Sequence, residues 1–199
     1  MYNPLMDRPS DMQPARAEPI RYTYRDLQRF PDDGLRHELI DGEHLVSPAP
    51  TPRHQKLSVR LVVAIANYLA EHPIGEVYAA PLDIVLSDFD VVEPDIVLIS
   101  NERLDSIGEK AVNGPPDIAV EILSPSSRRT DEVAKRRLFD RAGVREYWIV
   151  DPEIEAVKVY RRDNAAKFAR VAELSREEDA ELDSPLLPGF ALRLADLFA

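Results

Sequence analysis

The chain has 199 residues, with 25 Lys and Arg against 36 Asp and Glu, a formal net charge of −11 and no cysteine. That length suits one domain of α/β or α+β type, with a core that needs no covalent staples. The lack of cysteine excludes disulfides and thiolate metal sites and fits a reducing cytoplasm. The acidity argues against a simple nucleic-acid binder, whose affinity comes from basic side chains on phosphates.

Residues 1–19, rich in Pro, Asp and Arg without an apolar run, read as a flexible N-terminal tail, neither a secretory signal nor a membrane span. Residues 20–199 read as a single domain. Thr23 before Tyr24-Arg25-Asp26-Leu27-Gln28 predicts an N-capped short helix, stopped by Pro31-Asp32-Asp33-Gly34. His37 to Ile40, Asp41-Gly42 and Glu43 to Val46 predict a hairpin, because Asp-Gly suits a tight turn between apolar runs. Leu57, Leu61, Val62, Ile65, Tyr68 and Leu69 recur at helical spacing, so a core-packed helix is expected over 54–69, ended by His72-Pro73.

The period then changes. Val77 to Leu86 and Val91 to Ile99 read as two strands about a turn at Ser87 to Asp90, followed by a loop through Gly114-Pro115-Pro116. Ile118 to Leu123 is nearly all apolar, as in a central strand covered on both faces. Ser124-Pro125-Ser126-Ser127 turns the chain into an amphipathic helix over 131–142, closed by Gly143. Strands at Glu146 to Val150 and Val157 to Tyr160 follow, and a short apolar element at 192–198 comes last. The expected fold is α/β (α+β), a mixed β-sheet flanked by helices. No apolar stretch is long enough to span a membrane.

Two acids stand in apolar strands. Asp95 lies within Val91 to Ile99 and Glu121 within Ile118 to Leu123. A buried carboxylate costs several kcal/mol unless it is paired, protonated or bound to a cation. Each alone reads as a strand-end cap or an Arg partner. Together, on separate strands, they point to a shared hard cation, Mg²⁺ or Mn²⁺. Asp117 sits on the same strand as Glu121, so Asp95 is the better partner. The basic residues Arg128, Arg129, Lys135, Arg136, Arg137, Arg141 and Arg145 read either as phosphate contacts or as a helix laced with ion pairs such as Glu132/Arg136. Tyr147 and Trp148 read as core or a subunit interface. No Gly-x-Ser-x-Gly elbow accompanies the serines, and no P-loop or dinucleotide fingerprint is present.

Arg36-His37-Glu38-Leu39-Ile40-Asp41-Gly42-Glu43, Pro94-Asp95, Pro116 to Ser126 and Gly143 to Pro152 follow one another in an order that resembles the Uma-type family of restriction-endonuclease-like proteins, within the PD-(D/E)XK superfamily. The resemblance runs from about Thr23 to the C-terminus and implies a restriction-endonuclease-like core. It implies that Asp95 and Glu121 are the metal-binding acids, that the carbonyl of Ile122 completes the inner shell, and that Glu38 is the auxiliary acid. Position 123 is Leu, where the simple motif has Lys, and the resemblance implies that the lysine has moved to the following helix, as Lys135. His54, opening the long helix, stands where the family places a histidine, with a structural role as its other reading. The implied activity is that of a metal-dependent endonuclease cutting DNA as a cytoplasmic homodimer, without a covalent intermediate. The alternatives are a weakly active or inactive relative that binds nucleic acid or protein, and a hydrolase of small phosphoesters.

Overall fold

The computed structural model describes residues 20–162 and 167–199; the expected tail over residues 1–19 lies outside them. Thr23 caps α1 (Tyr24–Leu27) through a reciprocal box with Asp26. β1 (Arg36–Ile40) and β2 (Glu43–Ser47) form the expected hairpin. Asp41 and Gly42 both take positive φ, 53° and 78°, as a two-residue turn between twisted strands requires. α2 (Pro52–Glu71) begins at the Thr51 cap and buries Leu57, Leu61, Ile65 and Leu69 along one stripe.

The next two expected strands are each broken in two. β3 (Gly75–Ala79) and β4 (Asp83–Ser87) replace the first, and β5 (Asp90–Val92) and β6 (Ile96–Ser100) the second. The breaks fall at Pro81 and Pro94, which have no N–H to give a ladder. They also face each other, since Ala79 pairs with Ile96 and the N–H of Ala80 donates to the carbonyl of Asp95 at 3.0 Å. The result is one long hairpin bent across two sheets. Asp95 therefore lies at the bend and not inside a strand as expected.

The loop that follows holds a 3-10 turn (Asn101–Ser106) and β7 (Ala111–Asn113), neither expected from the sequence. β8 (Ile118–Ile122) is wholly buried. The helix after it opens with a π-helical stretch (Thr130–Lys135) before α3 (Arg136–Ala142), and Gly143 closes it at φ 91°. β9 (Glu146–Asp151), β10 (Ala156–Arg162), β11 (Phe168–Ser175), β12 (Glu181–Asp183), β13 (Ala191–Arg193) and α4 (Leu194–Leu197) complete the order.

One mixed sheet runs β11-β10-β9-β8-β6-β3, with only β8 and β9 parallel; the crossover helix joins them. A second runs β2-β1-β5-β4-β7, and β12 pairs with β13. Alternation along the six-stranded sheet builds two cores. Ile118, Val120, Ile122, Trp148 and Val150 face α2 and the C-terminal segment with Leu187, Leu194 and Leu197. Ala119, Tyr147 and Ile149 face Leu138 and Phe139 of α3, with Ile40, Ile84 and Val92 of the second sheet. Tyr147 and Trp148 are both core residues.

Candidate active site

Five elements meet where the hairpin bends. β1 brings Arg36 and Glu38, the bend brings Asp95, and β8 brings Glu121 and Ile122. The first turn of α2 brings His54, and the π-helical stretch brings Asp131 and Lys135. Arg36, His54, Asp95, Glu121, Asp131 and Lys135 line one cavity of about 200 Å³. Pro48 to Thr51 and the Ser124 to Ser127 turn form its rim.

Asp95 is 3% exposed. Its Oδ2 accepts from the N–H of Ile122 at 2.8 Å and from Nε2 of His54 at 3.0 Å, and its Oδ1 from Nη1 of Arg36 at 3.0 Å. Burial works to raise its pKa, but the His54 contact, the Arg36 charge and the Ile122 N–H together hold it below the ordinary carboxylate value. A carboxylate only accepts, so Nε2 of His54 carries the proton. Nδ1 of His54 is buried with no hydrogen-bond partner among the described residues.

The second group centres on Lys135, which is 2% exposed. Its ammonium lies 2.7 Å from Glu38, 2.8 Å from Glu121 and 3.7 Å from Asp131. Glu38 also accepts the N–H of Glu93 at 2.8 Å, and the hydroxyl of Tyr147 donates to the carbonyl of Asp131 at 3.1 Å. Burial disfavours a charged lysine, yet the three carboxylates outweigh it and raise Lys135 further. Burial pushes Glu121 well above the ordinary value; Lys135 opposes, while Asp131, Asp95 and Glu38 add to it. Asp131 is likewise raised by burial.

The chemistry of these donors fits a hard divalent ion. Glu38, Asp95, Glu121 and Asp131 carry four carboxylates, against two permanent cations, Arg36 and Lys135. Glu121 and Asp131 are raised first by burial and then by the neighbouring carboxylates. The site is not a preformed cage: among the described residues, no three His, Asp or Glu side chains come together so as to hold an ion. The protein's own Arg36, His54 and Lys135 occupy oxygens that a metal would share.

Asp95, Glu121, Ile122, Lys135 and His54 line this cavity, and Glu38 lies beside it through its contact with Lys135. Ile122 is held there by its N–H, donated to Asp95. Arg36 and Asp131 had not been singled out. Both were within reach of pattern: Arg36 precedes Glu38 by two on a strand, and Asp131 precedes Lys135 by four on a helix. The rest of the basic cluster goes elsewhere. Arg128 pairs with Asp151 at 2.6 Å, Arg141 with Asp90 at 2.6 Å and Arg145 with Asp117 at 3.0 Å. The expected Glu132/Arg136 pair is not made by the two side chains. Glu132 takes Lys158 at 2.7 Å, while Arg136 donates to the backbone carbonyl of Glu132 and lies over the Tyr160 ring.

Mixed sheets flanked by few helices, with carboxylates and a lysine at their junction, make this an α+β fold. The family model Uma2, described as "Putative restriction endonuclease", matches residues 23–195, and the chain belongs to that family. The fold is shared with a solved structure described as "a putative nuclease belonging to DUF820 from Anabaena variabilis ATCC 29413", with a TM-score of 0.74 and 23% identity, over 88% of this chain and 97% of that one. No curated protein matches the chain. No helix among the described residues is long and apolar enough to cross a membrane.

Proposed function

We propose that the chain is a divalent-metal-dependent endonuclease that hydrolyses DNA phosphodiester bonds, in the cytoplasm and as a homodimer. The observation that carries this reading is the meeting of Asp95 and Glu121 at one cavity, with a buried lysine against Glu121. Asp95, Glu121, Glu38 and the carbonyl of Ile122 would hold Mg²⁺ or Mn²⁺. That ion supplies Lewis acidity, polarising the scissile phosphate and acidifying water at the site. Lys135 is held charged by three carboxylates, so it acts as a fixed cation beside the negative charge that develops on the phosphate, not as a base. His54, through Nε2, and Arg36 fix the orientation of Asp95. Asp131 completes the carboxylate set around Lys135.

The test is plasmid cleavage with Mg²⁺ or Mn²⁺ by the full chain, beside Asp95→Asn and Glu121→Gln. Loss of each carboxylate is expected to lower the rate by at least about 10²-fold, the scale of removing one electrostatic contributor to a transition state. Equal cutting by all three proteins would sink the assignment. The internal pairing of the carboxylates with Arg36 and Lys135 favours, as a second reading, a relative that binds nucleic acid without cutting it. Binding with no cleavage in either metal would select that reading.

A further inference from the structure

A series of depressions with shared walls leads away from the carboxylate cavity. Arg36, Pro48 and Pro50 line both that cavity and its neighbour. Leu35 and Glu93 continue the surface into a third depression, and Gln28 and Asp83 carry it into a fourth, of about 570 Å³. That last pocket is walled by Tyr24, Arg25, Arg29 and Lys110.

Its three cations are exposed. Unlike Arg128, Arg141, Arg145 or Arg161, none of them is within ion-pair distance of a carboxylate among the described residues. Asp26 lies on the same turn and feels both arginines, but its carboxylate is engaged by the N–H and hydroxyl of Thr23. Asp83 is the one acid in the pocket wall, beside Tyr24. In a chain of net charge −11, a pocket with three cations and one acid is a local reversal of sign.

We propose that the pocket of Arg25, Arg29 and Lys110 binds backbone phosphate of the same nucleic-acid strand whose scissile bond lies in the carboxylate cavity; this rests on the nuclease reading. Unpaired Arg and Lys side chains at the surface hold phosphate without reading sequence. Between the two ends, the exposed Asp32 carries the same sign of charge as a phosphate, so phosphate is favoured at the basic end and not along the middle. Substrates too short to reach that end lose the contact.

The test uses the full chain and the triple variant Arg25→Gln/Arg29→Gln/Lys110→Gln, with melting curves to verify that both fold alike. Affinity for fluorescein-labelled DNA duplexes of 8 and 40 base pairs is measured in EDTA over a salt series. On the long duplex, the slope of log affinity against log salt should become less steep by about 2 to 3, since each lost phosphate contact removes about 0.9. The short duplex should show much the smaller change. An unaltered slope on the long duplex, or equal losses on both lengths, overturns the proposal. So does displacement by inorganic phosphate beyond what chloride achieves at equal ionic strength, which would mark a site for free phosphate. Cleavage of the 40-base-pair duplex by the wild type in Mg²⁺ separates the two failures. If it cuts while the variant binds like wild type, only the distal site falls. If the wild type neither binds nor cuts, the nuclease reading falls and takes this one with it.

Discussion

β8 has a cluster of buried acids at each end, and the two clusters are built oppositely. At the N-terminal end, Asp117 accepts from Arg145 at 3.0 Å and from the N–H of Ser100 at 2.7 Å, with Arg103 at 3.5 Å. Beside it, the fully buried Glu146 accepts from Arg161, the indole N–H of Trp148 and the hydroxyl of Ser184. Two acids there have two or more donors each. At the C-terminal end, four acids share Arg36 and Lys135. Burial of a carboxylate is thus common to both ends and diagnostic of neither; the ratio of cations to acids sets the candidate site apart from the other end.

The largest effect expected from breaking that contrast is at Lys135. Lys135→Met leaves Glu38, Glu121 and Asp131 buried around an apolar side chain and should destabilise the fold by about 3 to 5 kcal/mol. Urea unfolding measures it, and the further change Glu121→Gln should restore part of the loss. A cost under about 1 kcal/mol would mean that these acids are already neutral and that no surplus charge exists. Next comes Glu146→Ala, which strands Arg161, Trp148 and Ser184 together. We expect about 2 to 4 kcal/mol of lost stability with unchanged cutting per folded molecule. A fall in that specific activity would place Glu146 in the chemistry and end the contrast.

The raised and the lowered acids act on stability with opposite sign. Burial, with Asp83 adding to it, pushes Glu93 beside the site up to about 7 from an ordinary 4.5, against the pull of Arg36. Between those values the folded chain keeps a proton that the unfolded chain has released, so stability falls as pH rises from about 4.5 to about 7. Glu121 and Asp131, also raised, act in the same direction. Like Asp95, Asp151 at the end of β9 behaves in the opposite way. Burial would raise it, but Arg128 and the N–H of Glu153 hold it below 3.8, so its contribution is lost only as pH falls below that value. The melting temperature should therefore decline from mildly acid to neutral pH, and Glu93→Gln should flatten the decline. Glu121→Gln should cost no more than about 1 kcal/mol, or even stabilise, while abolishing cleavage, the usual trade at a strained site. An unaltered slope in Glu93→Gln would remove the electrostatic account of the site.

Much of this was readable from residues alone, for definite reasons. The Asp41-Gly42 hairpin, the stripe of α2 and the apolar β8 are local patterns, and local patterns survive folding. The bend was not foreseen: the two strands were read straight through Pro81 and Pro94, and only their facing each other across the hairpin makes them a corner. β11 has no fully buried residue and β12 is only three residues long, so neither carries an alternation strong enough to detect. Asp95 and Glu121 stood out as acids in apolar runs. Arg36 and Asp131 did not, since a basic residue opening a strand and an acid opening a helix are unremarkable until the site is assembled. The pairing partners of Arg128, Arg141 and Arg145 lie 23 or more positions away and follow from topology, which helical spacing does not encode.

The smallest expected effect tests redundancy at the structural end. Arg145 is 43% exposed and gives Asp117 one of several donors. In Arg145→Gln, Asp117 keeps the Ser100 N–H and gains from Arg103, whose guanidinium already lies 3.5 Å away. Solvent screens the lost charge further, so the cost should be about 1 kcal/mol or less. The double variant Arg103→Gln/Arg145→Gln removes both cations from a carboxylate that is 1% exposed and should cost more than the two single losses added together. Strict additivity would show that Asp117 relies on backbone N–H alone. The ratio of cations to acids would then no longer distinguish the two ends of β8, and the count of backbone donors would have to replace it.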